Sequence, residues 1–309
     1  MMLIANPPYM GIKTFLQVPY SPDLSKSPKV AILGIPYDLN VTNRPGARFA
    51  PEAIRKASTL LCEGFQGEEV LDFGDILNGL KNTPQETFEE ITNYLTRVLE
   101  KKIIPVSIGG DHSITLPILR AMAKHYKQPI PLVHFDAHPD TWEENWGMNS
   151  GHGSFLFHAI KENLIDGANS FLIGIRCPLD SKTWEFTKKH IKHVYSANDI
   201  HEKGLQPLLE DLNSLKGKNA YLTFDIDALD PAYAPGTGTP EVGGLTPWQV
   251  KKIFNAPIMR EIQWKGMDLV ELSPPYDHAE ISAVAAAYII YHFINILTYK
   301  EDRFPFRFY

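Results

Sequence analysis

Cysteine is nearly absent. Cys62 and Cys177 are the two in 309 residues, and they form no pairing pattern. That excludes a disulfide scaffold and makes a reduced, cytoplasmic setting the simplest expectation. Positive charge is also short: 30 Lys and Arg against 36 Asp and Glu leave a net charge of −6. Such a balance argues against nucleic acid or an anionic membrane as partner. The N-terminus lacks a basic segment followed by an apolar run, so no secretory signal is expected. Long uncharged stretches are missing except over residues 281–297. That run sits at the lower length limit for a membrane span and reads as a buried core helix. No Ser/Gly or Pro linker, repeat or low-complexity tract divides the chain.

What the chain does have is alternation. Strand-like apolar runs cover residues 29–35, 70–73, 103–108, 130–135, 170–175, 191–195, 220–224 and 266–272. Helical patterns lie between them. One opens at Pro51, as a proline at the first helical position should. Another opens at Thr83, with Glu86 three residues on as a capping partner. Others follow Ser113, Ser154, Gly204, Thr246 and His278. The pattern predicts an α/β fold in three layers, a central parallel sheet of about eight strands with helices on both faces. A Pro-rich N-terminal arm, residues 1–28, is expected to precede a single domain, residues 29–309.

Four of the runs end in polar tips. They are Gly109-Gly110-Asp111-His112-Ser113, Asp136-Ala137-His138-Pro139-Asp140, Asp225-Ile226-Asp227, and Glu271. In a parallel sheet the C-terminal strand ends share one edge, where open α/β proteins place their ligands. If the tips stay extended, the alternating residues within each point the same way. Asp136, Asp140, Asp225 and Asp227 bring four negative charges to that edge. They cannot remain ionised when buried unless cations sit among them. Two divalent metals neutralise the set, with His112 and His138 completing the shells. Six ligands are too few for separate sites, so some carboxylates should bridge a pair of ions of the kind that activates water. Oxygen-rich donors with a minority of nitrogen favour manganese. Asp111 and Asp230 read as cap and turn residues. His125, His134, His158, His190, His193 and His201 read as hydrogen-bonded surface or core residues. A two-metal phosphohydrolase would want basic residues at the tips, and none is there. Arg44 and Arg48 read as packing and loop anchors.

Taken together, these tips resemble the ureohydrolase family of arginases and agmatinases, the agmatinases most closely. The resemblance extends through Gly34-Ile35-Pro36-Tyr37-Asp38, Arg44-Pro45-Gly46-Ala47-Arg48, His152-Gly153-Ser154, Pro235-Gly236-Thr237-Gly238-Thr239-Pro240, Gly243-Gly244-Leu245-Thr246 and Pro275-Tyr276-Asp277-His278-Ala279-Glu280-Ile281. It implies one manganese held by His112, Asp136, Asp140 and Asp225. It implies a second held by His138, Asp136, Asp225 and Asp227, with Asp136 and Asp225 bridging. It also implies a homo-oligomer, a trimer or hexamer. The expected reaction is attack of a metal-activated hydroxide on a guanidinium carbon, expelling an amine and leaving urea. Asp140 would accept the proton and His152 would shuttle it. Glu271 would grip the guanidinium fork with two parallel hydrogen bonds.

The arginase signature Ser-Gly-Asn-x-His-Gly is absent; the segment reads Asn149-Ser150-Gly151-His152-Gly153. The loop 141–148 carries Trp142, Glu143, Glu144 and Trp146 and no cation. It suits a small cationic guanidino substrate with an ammonium at its far end. Agmatine, giving putrescine and urea, is therefore expected. Guanidinobutyrate is the alternative, since Asp140-Thr141-Trp142 also resembles guanidino-acid hydrolases. A non-catalytic homologue is disfavoured because all six metal ligands, His152 and Glu271 are present.

Overall fold

The computed structural model describes residues 7, 10–61, 69–77, 81 and 83–298; Cys62 and residues 1–6, 8 and 9 of the expected arm lie outside them. Eight strands build one sheet: β1 (Val30–Gly34), β2 (Val70–Asp75), β3 (Ile104–Ile108), β4 (Leu132–Phe135), β5 (Phe171–Ile175), β6 (His193–Ser196), β7 (Asn219–Asp225) and β8 (Gln263–Val270). All pairings are parallel, in the order β2-β1-β3-β8-β7-β4-β5-β6. The expected eight-stranded parallel fold is what the chain forms.

Side chains along a strand alternate between faces, so each strand feeds two cores. Val30 and Ile32 of β1 join one apolar layer; Ala31 and Leu33 join the other. The first layer is roofed by α1 (Ala50–Ser58) and the second by α2 (Pro84–Glu100), α3 (Thr115–Tyr126) and α4 (Phe155–Lys161). Further along the chain come α5 (Ser181–His190), α6 (Ala197–Lys203), α7 (Gln206–Leu212), α8 (Pro247–Phe254), α9 (Ile258–Glu261) and α10 (Ile281–Thr298). Helices α6 to α10 pack on the same face as α1. α10 is long and apolar enough to cross a membrane by length and composition, yet half of it is buried in the fold.

Three helices were not expected from the sequence: α5, α6 and the four-residue α9. The inward face of α5 is Thr183 and Thr187 rather than aliphatic residues, so it shows no apolar period. α6 has seven residues and is defined mainly by a capping box between Ser196 and Asp199. The Thr83–Glu86 capping box of α2 is present as expected. The N-terminal segment buries Phe15, Leu16 and Val18 in the α1 layer. It also runs along the edge strand β2, where Ser21 N donates to Asp72 O and Asp72 N donates to Pro19 O. That covers backbone groups an edge strand would otherwise expose.

Candidate metal centre

The four strands with polar tips are adjacent in the middle of the sheet, in the order β3-β8-β7-β4. Segments separated by up to 159 residues therefore meet: His112 N donates to Glu271 Oε1 at 2.8 Å. The tips are not extended, however. β4 stops at Phe135, and β7 gives way after Asp225 to a short 3-10 turn. Three aspartates then take the same local form, each carboxylate accepting the backbone N–H two residues on. Asp111 accepts from Ser113 (3.0 Å), Asp136 from His138 (2.6 Å) and Asp225 from Asp227 (2.8 Å). These turns, and not strand alternation, gather the side chains.

His112 Nδ1 lies 3.1 Å from Asp136 Oδ2, 3.0 Å from Asp140 Oδ2 and 3.2 Å from Asp225 Oδ2. The imidazole is fully buried, yet Nδ1 makes no well-formed hydrogen bond. Three carboxylate oxygens converging on one ring nitrogen without a bond is the arrangement a cation would resolve. Beside it, His138 Nδ1 lies 3.2 Å from both Asp136 Oδ1 and Asp227 Oδ2. Asp136 thus turns one oxygen to each imidazole, as a bridging ligand must. Asp225 turns Oδ2 toward His112, while Oδ1 holds the Asp227 amide. Two sets of close donor atoms share Asp136: one with His112, His134 and Asp140, the other with His138 and Asp227.

Without cations the cluster is electrostatically frustrated. Burial, then the charges of Asp227 and Asp136, push the Asp225 carboxyl well above its usual range. Burial opposes charge on His112 and His138, but the surrounding carboxylates hold both imidazoles well above their ordinary value. Cations at these positions would relieve both effects.

A row of buried polar residues supports the tips from below. Ser107, Asp268, Thr223 and His134 stand in register across β3, β8, β7 and β4. His112 Nε2 lies 2.8 Å from Thr223 Oγ1, and Thr223 donates to Asp268. Asp268 also accepts from Tyr221 (2.9 Å) and Thr115 (3.1 Å). Since the Thr223 hydrogen goes to Asp268, its oxygen accepts from His112. Nε2 therefore carries the hydrogen of the neutral ring, and Nδ1 is the atom left to face a cation. His134 Nε2 bonds Asp136 Oδ2 at 2.7 Å. The sequence marks this row only as isolated polar residues in apolar strands, so His134 reads there as an ordinary hydrogen-bonded residue rather than a neighbour of the centre. Arg176 was missed altogether. Its guanidinium donates to the carbonyls of Asp227 (2.8 Å), Leu229 (3.3 Å) and Glu241, tying the β5 end to the ligand-bearing loop. Glu241 lies 3.8 Å from His138 Nε2.

A cleft of about 370 Å³ opens above, walled by His138, Asp140, Trp142, Glu144, Trp146 and His152. Thr42 and Asp225 also reach it. Glu143 does not: its exposed carboxylate pairs with Lys182 at 2.7 Å. The expected pair of loop acids is thus reduced to Glu144, because a lysine on α5 engages the other. Glu271 is buried, and Oε1 is occupied by His112 N–H and by His152 Nδ1 at 2.8 Å. One of the two oxygens in the grip expected of Glu271 is thus already engaged within the protein. Asp140 and Glu271 both adopt left-handed backbone, φ 50° and 63°. Strain of this kind persists where the surroundings fix a side chain's direction.

A model of the arginase family matches residues 28–295. The agmatinase of Chromobacterium violaceum is 39% identical over 95% of this chain and 91% of its own length. The human mitochondrial guanidino acid hydrolase is 37% identical over 95% of this chain and 84% of its own. The guanidinobutyrase of Pseudomonas aeruginosa is 35% identical over 94% of each. The crystal structure of a hypothetical agmatinase from Burkholderia thailandensis matches with a TM-score of 0.85 at 37% identity, over 94% of this chain and 91% of that one.

Proposed function

This chain belongs to the arginase family, and from that premise we propose that it hydrolyses agmatine to putrescine and urea with two manganese ions held by His112, Asp136, His138, Asp140, Asp225 and Asp227. The family makes it a guanidino hydrolase; the substrate is the finer step. One observation carries that step. Among the described residues no Lys or Arg lines the cleft, whereas Glu144, outside the proposed metal ligands, gives it a carboxylate and Trp142 and Trp146 give it indole faces. A far-end ammonium finds partners there by charge and by cation–π contact. A far-end carboxylate finds none.

Divalent ions at the cluster would acidify a water at the cleft floor and so supply the nucleophile at neutral pH. The protein's own groups do the rest. Glu271 offers Oε2 to the guanidinium, its other oxygen being held by His112 and His152. In this reading Asp140 takes the water's proton and passes it to the leaving nitrogen. The reaction balances internally: the water oxygen ends in urea and both its hydrogens end on the leaving amine. His152, on the cleft wall and bonded to Glu271, carries protons between the site and solvent.

The test is urea release by the manganese-loaded protein from agmatine, guanidinobutyrate and arginine side by side. Agmatine should lead in kcat/KM by at least about tenfold. A lead for guanidinobutyrate would transfer the protein to the guanidino-acid hydrolases, which its relatives of similar identity represent. Urea from none of them would refute the reading.

A further inference from the structure

The two ring nitrogens of His152 meet different partners. Nδ1 faces Glu271 Oε1 at 2.8 Å. Nε2 receives the Thr42 backbone N–H at 3.2 Å and lies 2.8 Å from Thr42 Oγ1. An amide N–H can only donate. A neutral His152 must therefore present its lone pair at Nε2 and keep its hydrogen on Nδ1, where the carboxylate accepts it. The ring cannot easily turn away from this arrangement. His152 N donates to Asn40 O at 3.0 Å. Asn40 is itself anchored, its backbone N–H to Asp111 at 3.0 Å and its side chain to Ser113 at 3.1 Å. The segment carrying Thr42 is thus fastened to the same turn that carries His112. Thr42 also reaches the cleft.

We propose that Thr42 is a positioning residue for proton transfer by His152: its amide fixes the neutral imidazole in the Nδ1–H form, and its hydroxyl is the passage through which Nε2 exchanges a proton with the cleft. The chemistry this serves rests on the ureohydrolase reading above; the tautomer does not. In the step itself the Thr42 hydroxyl gives its hydrogen to the Nε2 lone pair of the neutral ring and takes one from a water in the cleft. The reverse returns it, and Thr42 is unchanged. The groups acting on the ring come from three strand tips. Burial pulls the imidazole down, while Glu271, Asp111 and Asp140 together lift it to about 9. A second proton, when the ring takes one up, goes to Nε2, opposite Oγ1. The amide N–H aimed at the same atom makes Nε2 the nitrogen that releases it.

Two variants and one spectrum test this. Thr42→Val keeps the amide and removes the hydroxyl; Thr42→Ser keeps both. Turnover of the manganese-loaded Val variant should fall at least about tenfold, with KM and metal content at wild-type levels, and Ser should restore it. Wild-type turnover in Thr42→Val would overturn the relay. Independently, nitrogen-15 spectra of histidine-labelled, zinc-loaded full-length protein are recorded at a pH above the His152 value, with the His152 signal assigned by its loss in His152→Asn. A ring protonated at Nδ1 is expected, and one protonated at Nε2 would overturn the tautomer. A wild-type protein that releases no urea would sink the ureohydrolase reading alone, and the spectrum would still decide the role of the Thr42 amide.

Discussion

His112 donates through Nε2 to Thr223, and Thr223 passes its own hydrogen to Asp268, so the nitrogen proposed to bind metal is oriented by residues outside the proposed ligand set. Replacing Thr223 by Val keeps the shape and leaves the His112 N–H unpaired in a dry site. Metal affinity should fall about tenfold to a hundredfold, measured by competition with a fluorescent chelator. The unsatisfied donor should also cost about 1–3 kcal/mol of stability. Glu271→Gln probes the other side. The amide oxygen still accepts from His112 and His152, but the charge is gone. Since Glu271 is the leading group that lifts His152 to about 9, the titration of His152 should move to lower pH, read by the histidine nitrogen spectrum. An unmoved titration would show that Glu271 does not control this ring. At this scale the sequence displays the six proposed ligands, because they fall in short dense motifs. It hides Thr223, Asp268 and His134, which become neighbours only through strand register.

The strand-to-helix junctions set where those side chains stand. Gly110 shows how tight one junction is. A Cβ there would sit 1.6 Å from Tyr37 O and 2.5 Å from Tyr37 C, backbone atoms that cannot swing aside. The same junction is stitched by Asp111 N to Tyr37 O at 2.8 Å and by Glu271 N to Gly110 O at 2.9 Å. Gly110→Ala must therefore part the tips of β1, β3 and β8. We expect a loss of more than about 2 kcal/mol, seen as a lower urea midpoint at unchanged slope. Metal affinity should drop with it, since His112 follows on the same turn. Strands and long helices were legible because apolar period and capping chemistry agree, as at Thr83. α5 was not, because threonines fill its inward face. The turns after β4 and β7 were mistaken for extended chain because an Asp-x-Asp spacing fits a strand and an Asp-centred turn equally well.

Across the whole molecule, the order β3-β8-β7-β4 turns four distant tips into one centre. Composition and motif order announce a parallel sheet and a shared edge. They do not announce which strands are neighbours, since pairing depends on packing between both apolar layers. The centre then couples to the stability of the entire fold. In the metal-free protein His112 and His138 are held well above the ordinary imidazole value by the carboxylates around them, although burial opposes it. A folded state that binds those protons more tightly than the unfolded chain is favoured fully below about pH 6.5, and it loses that advantage as pH rises toward the folded values. Asp225 and Asp227, raised by burial and by neighbouring acids, add loss of the same sign. Cations act in the opposite direction. They replace the protons, bind more tightly as the ligands deprotonate, and stabilise by about 2.7 kcal/mol at a hundredfold excess over Kd. The melting temperature of the chelator-treated protein should therefore fall between about pH 6 and about pH 9, while that of the manganese-loaded protein holds. Calorimetry across that range would show the gap widening with pH if the cluster takes cations in place of protons. A gap that is absent, or that narrows, would mean that the six side chains hold no metal in solution.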